Sequence, residues 1–480
     1  MMTAAMTSCH FLFAFVVLAL TTLAGCAAPD EQLPIADLQE IPQDCRSALG
    51  PGFADKTLIA PDNQARLADE YRQTILSPWW PDTLSPGGLA SFSADPANEI
   101  LRIFRHWPND TIGENLQPRP GGWSAALMRE ANGQDYPNRR LRAITVRNTS
   151  MRQLPTAEPA FLPPGKGIAY PFDRLQESAI WANTPILVTH VSRSGAWVWA
   201  KSCFSAGWVP AGDVAVVDNS FMNAWRTLPL VAIVRDGVSL RGPDGTFIAT
   251  EHIGAVLPLA EASAPAGAGG APAKNLEVLA AARMPDGAAK AIRVRLEPGE
   301  AEMFPVPATA GRLADLADRM LGQSYGWGGL YERRDCSAMI RDLFTPFGLY
   351  LPRNSSEQVR AGKAIPLGGM SGEAKERLIL RDGAGMLTLL GAPGHIMLYL
   401  GQRDSKALIM HNTWGVKVRK PGGDEGFKLI GRCCITTLRP GIELPNVILP
   451  DGDLRHMINV MVRLDGGDNF DRLMAGESER

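Results

Sequence analysis

Apolar residues recur along this chain in two rhythms, which divide it into helical and strand-rich stretches. Between residues 64 and 76, Leu67, Tyr71, Ile75 and Leu76 share one helical face, and Pro78 ends the helix after Ser77. The cluster Pro78, Trp79, Trp80 and Pro81 reads as a packing anchor. From about residue 140 the rhythm shortens. Runs at 143–146, 185–190, 196–199 and 207–209 are β-branched or aromatic and separated by turns, and a second set follows at 230–234, 238–240 and 253–259. That spacing predicts two consecutive small barrels, the second completed by strands at 276–279 and 292–294. Residues 261–273 are rich in Ala, Gly and Pro, a flexible insert within the second barrel. The helical rhythm then returns. Leu313, Leu316, Ala317, Met320 and Leu321 mark one amphipathic helix closed by Gly322, and Met339, Ile340, Leu343, Phe344 and Phe347 mark another that starts at Asp335. Residues 394–401 and 407–414 read as two strands joined by a short polar turn.

The amino terminus follows neither rhythm. Residues 11–20 form one apolar run of ten, too short to span a bilayer but the size of a signal-peptide core. Leu23, Ala24, Gly25 and Cys26 follow, and this LAGC resembles the bacterial lipobox, in which the cysteine is acylated. The resemblance implies that Cys26 is a lipid anchor and that the protein sits in the cell envelope, tethered to a membrane and facing the periplasm or exterior. Against it, residues 1–25 carry no Lys or Arg. Composition narrows the partners. With 48 Lys plus Arg against 50 Asp plus Glu there is no basic surplus for phosphates, so no nucleic acid is expected. The chain has no CxxC and no His/Cys cluster at zinc spacing, so no metal is expected. Cys433 and Cys434 read as two strand residues facing opposite ways, and the pairing of Cys45 stays open.

The candidate chemistry lies in the last third. Asp335 is a natural N-cap, which places Cys336 in the first turn of its helix, where the dipole and free amides favour a thiolate. His395 and His411 are equidistant from Arg403, so a hairpin centred there would make them cross-strand neighbours on one face. One imidazole could then serve as base and the other orient it. His190, within a strand run, reads as structural. A rival motif, G-x-S-x-G at 322–326, would make Ser324 a nucleophile with Asp335 and His395. That elbow needs a strand before it, and here a helix precedes.

Two resemblances sharpen this. Residues 145–156, 169–181, 185–201 and 207–210 look like bacterial SH3 domains, with an RT-type loop rich in Asp173, Arg174 and Gln176. SYGWGGLYERRDCSAMIRDLF, then LPRNSSEQ, GHIMLYLG and MHNTWG, resemble in order the NlpC/P60 papain-like cysteine peptidases. The implied fold is α+β: a papain-like domain of helices on an antiparallel sheet, preceded by two SH3-like β-barrels and an N-terminal helical segment. The implied divisions are a signal peptide (1–25), a tether (26–60), the helical segment (61–139), two SH3-like domains (140–215 and 216–305), the catalytic domain (306–440) and a C-terminal extension (441–480).

The resemblance implies Cys336 as nucleophile, His395 as general base, His411 as the orienting third residue and Tyr325 at the oxyanion site. Asp335, Ser337, Arg353, Asn354 and Ser355 are implied to line the substrate, with no cofactor. Relatives with SH3 modules resemble γ-D-glutamyl-L-diamino acid endopeptidases acting on peptidoglycan stem peptides, with diaminopimelate or Lys as the third residue. Some relatives carry an Asp where this chain has Asn354, and Asp173 is the candidate to supply that charge to a substrate amine. The second expectation is a wall-binding SH3 lipoprotein whose peptidase domain is inactive.

Overall fold

The computed structural model describes residues 33–50, 52–80, 110–166, 169–262 and 276–465. The expected signal peptide, Cys9, the expected Cys26 anchor, residues 263–273 of the expected insert and the chain after 465 lie outside the described residues.

Helix α1 (Asp37–Glu40) is followed by α2 (Pro61–Leu76) and α3 (Trp123–Ala131). Proline at the first position of α2 suits a helix start, because its missing N–H would have no partner there. Seven antiparallel strands come next: β1 (Leu141–Thr145), β2 (Thr149–Arg152), β3 (Gln176–Ile180), β4 (Pro185–Val191), β5 (Trp197–Lys201), β6 (Ala206–Pro210) and β7 (Val214–Val216). They form a sheet of order β3-β2-β6-β5-β4-β1-β7 around Met151, Ile180, Ile186, Val188 and Val209. Helix α4 (Asn219–Thr227) leads to the second module: β8 (Leu230–Ile233), β9 (Val238–Arg241), β10 (Phe247–Glu251), β11 (Val256–Ala262), β12 (Leu276–Arg283), β13 (Ala289–Leu296) and β14 (Ala301–Met303). Its sheets, β13-β12-β11-β8-β14 and β10-β9, close on Val231, Leu240, Leu257, Val278 and Val294. Trp79 sits between the modules, fully buried, its indole N–H donating to the Ala143 carbonyl at 2.7 Å and its ring edge against Phe221. His190 is buried, with Nε2 2.9 Å from the Ala131 carbonyl.

The third unit contains α5 (Ala310–Asp318), α6 (Cys336–Phe344), α7 (Ser355–Gln358), β15 (Lys363–Pro366), α8 (Gly372–Asp382), β16 (Thr388–Ala392), β17 (His395–Arg403), β18 (Lys406–Arg419), β19 (Glu425–Thr436), α9 (Leu454–Met457) and β20 (Val460–Arg463). The sheet is antiparallel with order β15-β20-β16-β17-β18-β19. Leu313, Leu316, Ala317 and Met320 of the first helical face pack with Met339, Ile340, Leu343 and Phe344 of the second against Leu389, Ile396, Leu398 and Met410. Each buried Leu, Ile, Met or Phe side chain among them contributes about 1.5–3 kcal/mol. All nine residues of α6 are buried, so it is a central helix rather than a surface one.

Three expectations change. The tether does not hang free from residue 33 onward. Ile35 packs with Val416, Val418 and Leu444, Cys45 is buried in the main core, and the Gln43 amide exchanges two 2.9 Å hydrogen bonds with the Ile435 peptide. Gln43 thereby covers the open edge of β19 much as another strand would. The segment after 440 is not an appendage, because β20 lies inside the sheet of the third unit between β15 and β16. The hairpin is not centred on Arg403 either. Its turn is Asp404-Ser405, both residues at positive φ as a two-residue primed turn requires, and an irregularity between Tyr399 and Gly401 sets Leu398 opposite Met410. Cys45, Cys203, Cys336, Cys433 and Cys434 are all free and buried.

Candidate active site

The Asp335 carboxylate accepts from the Ala338 amide at 2.8 Å, capping α6 and setting Cys336 as its first residue. The backbone amides of Ile396 and Ser337 face the Cys336 thiol. Ile396 follows His395 directly, so the start of α6 meets the start of β17. The bulge at residue 400 decides what β17 presents. A two-residue turn alone would put His395 and His411 on opposite faces, since the register would be odd. The extra residue restores the parity and leaves the pair diagonal on one face, with His395 Nε2 3.0 Å from His411 Nδ1. His411 is 2% exposed, and its Nε2 lies 3.2 Å from the Thr436 hydroxyl.

Electrostatically the resting site is neutral. Burial pushes the Cys336 thiol up to about 12, the Asp335 carboxylate adding to it while the two amides and Arg353 oppose it. Burial likewise pushes His395 down to about 4 and His411 well below its ordinary value. Desolvation thus opposes the thiolate that the helix terminus favours. The Tyr325 phenol is raised by burial, by Asp335 and by Cys336, so its hydroxyl stays a donor.

Of the residues expected to line the substrate, several are engaged with one another. Arg353 is buried and donates to Asp335 Oδ1 and Oδ2 at 3.0 and 2.7 Å, to Ser337 Oγ at 2.9 Å, and to Ser178 Oγ of β3 at 2.8 Å. Burial opposes ionisation of Asp335, but Arg353 holds its carboxyl below the usual range. Asn354 is exposed and Ser355 half-buried. Asp173 does not present a free charge to a substrate. It is 1% exposed, paired with Arg152 at 2.5 Å, and accepts the Ala160 and Leu175 amides at 2.9 Å each. Ser324 is exposed and follows a helix and turn, so the serine elbow is absent.

Features beyond the sequence reading surround this centre. Phe172 of the β2–β3 loop lies 5.1 Å from Trp327 and 6.1 Å from Trp414, and Trp414 lies 6.1 Å from Tyr325. The tryptophans stand inside the quoted motifs, a signal that was available. Nothing local marks Thr436. The Gly328-Gly329 pair, at positive φ, lets the loop before Cys336 touch Gln176 and Ala179, where a Cβ at Gly329 would collide with Ala179. Gln176 Nε2 donates to the Gly328 carbonyl at 3.0 Å, and Trp327 Nε1 to the Asp173 carbonyl at 3.0 Å.

Comparison with known proteins agrees with this architecture. Residues 322–424 match the model of the NlpC/P60 family. Residues 159–210 match an SH3 domain of SH3b1 type, 218–264 one of SH3b2 type, and 13–136 the N-terminal NlpC/P60 stabilising domain. The gamma-D-glutamyl-L-lysine dipeptidyl-peptidase of Bacillus subtilis (strain 168) is 31% identical over 106 residues, 21% of this chain and 34% of that protein. The chain thus spans about one third of that relative's length. The solved structure of an NlpC/P60 endopeptidase from Photobacterium damselae subsp. piscicida superposes with a TM-score of 0.78 at 23% identity, covering 90% of this chain and 98% of its own. At that identity the likeness is one of fold.

Proposed function

We propose that this chain, in which an NlpC/P60 domain follows two SH3 modules, is a cysteine endopeptidase that hydrolyses the amide between γ-D-Glu and the L-diamino acid of peptidoglycan stem peptides. The observation that carries the proposal is the 3.0 Å His395–His411 contact at the strand end that meets the Cys336 helix start. In the reaction, the Cys336 thiol gives its proton to His395 as sulfur attacks the γ-carbonyl carbon. The oxyanion forms against the Cys336 amide and the Tyr325 hydroxyl. The His395 imidazolium then protonates the departing amine as the C–N bond breaks, leaving a thioester. Water, losing a proton to His395, hydrolyses the thioester and restores the thiol. A neutral resting pair suits this sequence, because charge separates only when substrate displaces water and a developing oxyanion compensates it. No step calls on a cofactor. We further propose that acylated Cys26 holds the enzyme at a membrane, facing the wall.

Mass spectrometry of L-Ala-γ-D-Glu-meso-diaminopimelate incubated with residues 27–480 tests the reading, with Cys336→Ala and the N-acetylated peptide as controls. Cysteine-dependent release of L-Ala-D-Glu is expected. Because Asn354 is neutral and Asp173 is held by Arg152, the acetylated peptide is expected to be cleaved as well. No cleavage of any stem peptide would overturn the proposal in favour of a wall-binding role.

A further inference from the structure

A histidine in the third position of a triad poses a problem that an asparagine or aspartate does not. Asparagine and aspartate offer an oxygen that can only accept from the base. Neutral histidine has two tautomers, and only the one protonated on Nε2 leaves Nδ1 free to accept from His395. The other would donate to His395 Nε2, force the His395 proton onto Nδ1, and leave the thiol nothing to give its proton to. Something must set the tautomer of His411.

The hydrogen-bond chain behind His411 favours one direction. Thr436 Oγ1 lies 3.2 Å from His411 Nε2 and 2.8 Å from the Thr437 carbonyl. The Thr437 carbonyl can only accept and is the nearer partner, which draws the single hydroxyl proton of Thr436 to it and turns a lone pair toward His411. With that lone pair facing it, His411 Nε2 donates, which leaves Nδ1 to accept from His395 Nε2 and His395 Nδ1 bare. Thr437 is itself held from outside the sheet. Its amide and its hydroxyl both donate to Asp37 Oδ2 at 2.8 Å, and the Arg439 amide donates to its hydroxyl at 3.1 Å. Asp37 belongs to α1, in the amino-terminal segment that runs along the β19 edge.

We infer that Thr436 is the positioning residue that fixes the tautomer of His411, and that Asp37 holds the Thr437 acceptor on which Thr436 depends. The inference rests on the proposed role of Cys336, His395 and His411. It gives the amino-terminal segment a part in the chemistry beyond covering a sheet edge: by way of two threonines, it directs a proton away from the face of His395 that must receive one.

The test reads the imidazoles directly. With seven histidines in the chain, nitrogen-15 labelling of histidine and a His395→Gln spectrum suffice to assign the pair. The wild-type protein is expected to carry the His411 proton on Nε2 and the His395 proton on Nε2. In Thr436→Val the His411 signal is expected to split between tautomers, and iodoacetamide alkylation of Cys336 to slow about 10-fold to 100-fold. Thr436→Ser is expected to restore both, which a role in packing alone would not predict. Asp37→Ala is expected to shift both readouts in the same direction by a smaller factor, and unchanged readouts there would remove Asp37 from the inference. A wild-type proton on His411 Nδ1 would overturn the whole, and that measurement decides even if the valine variant fails to fold. Tautomers and alkylation that behave as stated, without cleavage of any stem peptide, would instead sink the proposed substrate and leave the relay standing.

Discussion

The two SH3-like modules meet the third unit through seams of different chemistry. The first seam is built from Arg353, Asp335, Ser337 and Ser178, with Gln176 and Phe172 beside them. The second is built from Arg334, which donates to Asp236 Oδ1 and Oδ2 at 2.8 Å, to Asp342 at 2.8 Å and to the Ile253 carbonyl at 2.8 Å. Each centres on a buried arginine, Arg353 paired with one carboxylate and Arg334 with two. The second seam also holds His252, with Nε2 2.9 Å from Glu332 and Nδ1 3.5 Å from Asp236. Next to it is Glu251, fully buried, whose carboxyl accepts from Asn183 of the first module at 2.6 Å. The lesson lies in the sign of the response to pH. Arg353 and Arg334 hold Asp335 and Asp236 below the carboxylate range against burial, so that stability is present above the unfolded values and is lost as pH falls through the lower folded ones. Acid thus attacks both seams. Burial pushes Glu251 up to about 8, while His252, opposed by burial, is raised by Asp236 and Glu332. Both hold protons in the folded state that they would release when unfolded, so alkali weakens the second seam.

The largest effect expected is at the first seam. Arg353→Met removes the partner of a buried carboxylate, which costs about 3–5 kcal/mol by urea denaturation at neutral pH. Asparagine can still cap α6, so the double variant with Asp335→Asn is expected to regain a large part of that loss. If the double variant were no more stable than the single one, the charge pair would not be what holds this seam.

That two such seams exist was only partly legible beforehand. The helices bearing Leu313 and Met339 follow from periodicity alone, as does Asp335 as the cap before Cys336, because these signals are local. The pairing of His395 with His411 was legible in kind but not in register. A hairpin midpoint says nothing of a bulge at residue 400, which depends on how β17 bends over α6. Asp173 looked like a loop charge because its partner, Arg152, is contributed by a different strand. The burial of Glu251 and the place of β20 inside the sheet of the third unit depend on contacts between distant segments, for which no short pattern exists. Thr436 was invisible for the same reason: a threonine in a strand has no signature until its neighbour is known.

Glu251→Gln sharpens the comparison at the next level. The glutamine keeps an oxygen for Asn183 and cannot ionise. Wild-type stability should fall between pH 4.5 and 8 as the Glu251 proton is lost on unfolding, and the variant should lack that part of the decline. Equal slopes in the two proteins would place the alkaline weakness elsewhere.

His252→Phe probes the smallest and most specific difference. Phenylalanine can keep the packing against Trp181, whose ring lies 4.8 Å away, while the links to Glu332 and Asp236 go. A cost of about 1 kcal/mol is expected below pH 6.5, where His252 is protonated, shrinking as pH rises through its elevated folded value. The consequence for the site follows from backbone geometry. Tyr331 and Glu332 are both left-handed, at φ of 59° and 57°, and Tyr331 is 86% exposed, so little in the loop itself pays for that conformation. Glu332 is held instead by His252 and by Asn148, the latter at 2.9 Å. Releasing one of these two ties should loosen the segment that carries Trp327 toward Phe172, raising KM for a stem peptide a few fold with kcat nearly unchanged, whereas the same measurement on Arg353→Met should lower kcat through Asp335 and the cap of α6. A pH-independent cost for His252→Phe would mean that the second seam is held by packing and that its alkaline weakness belongs to Glu251 alone.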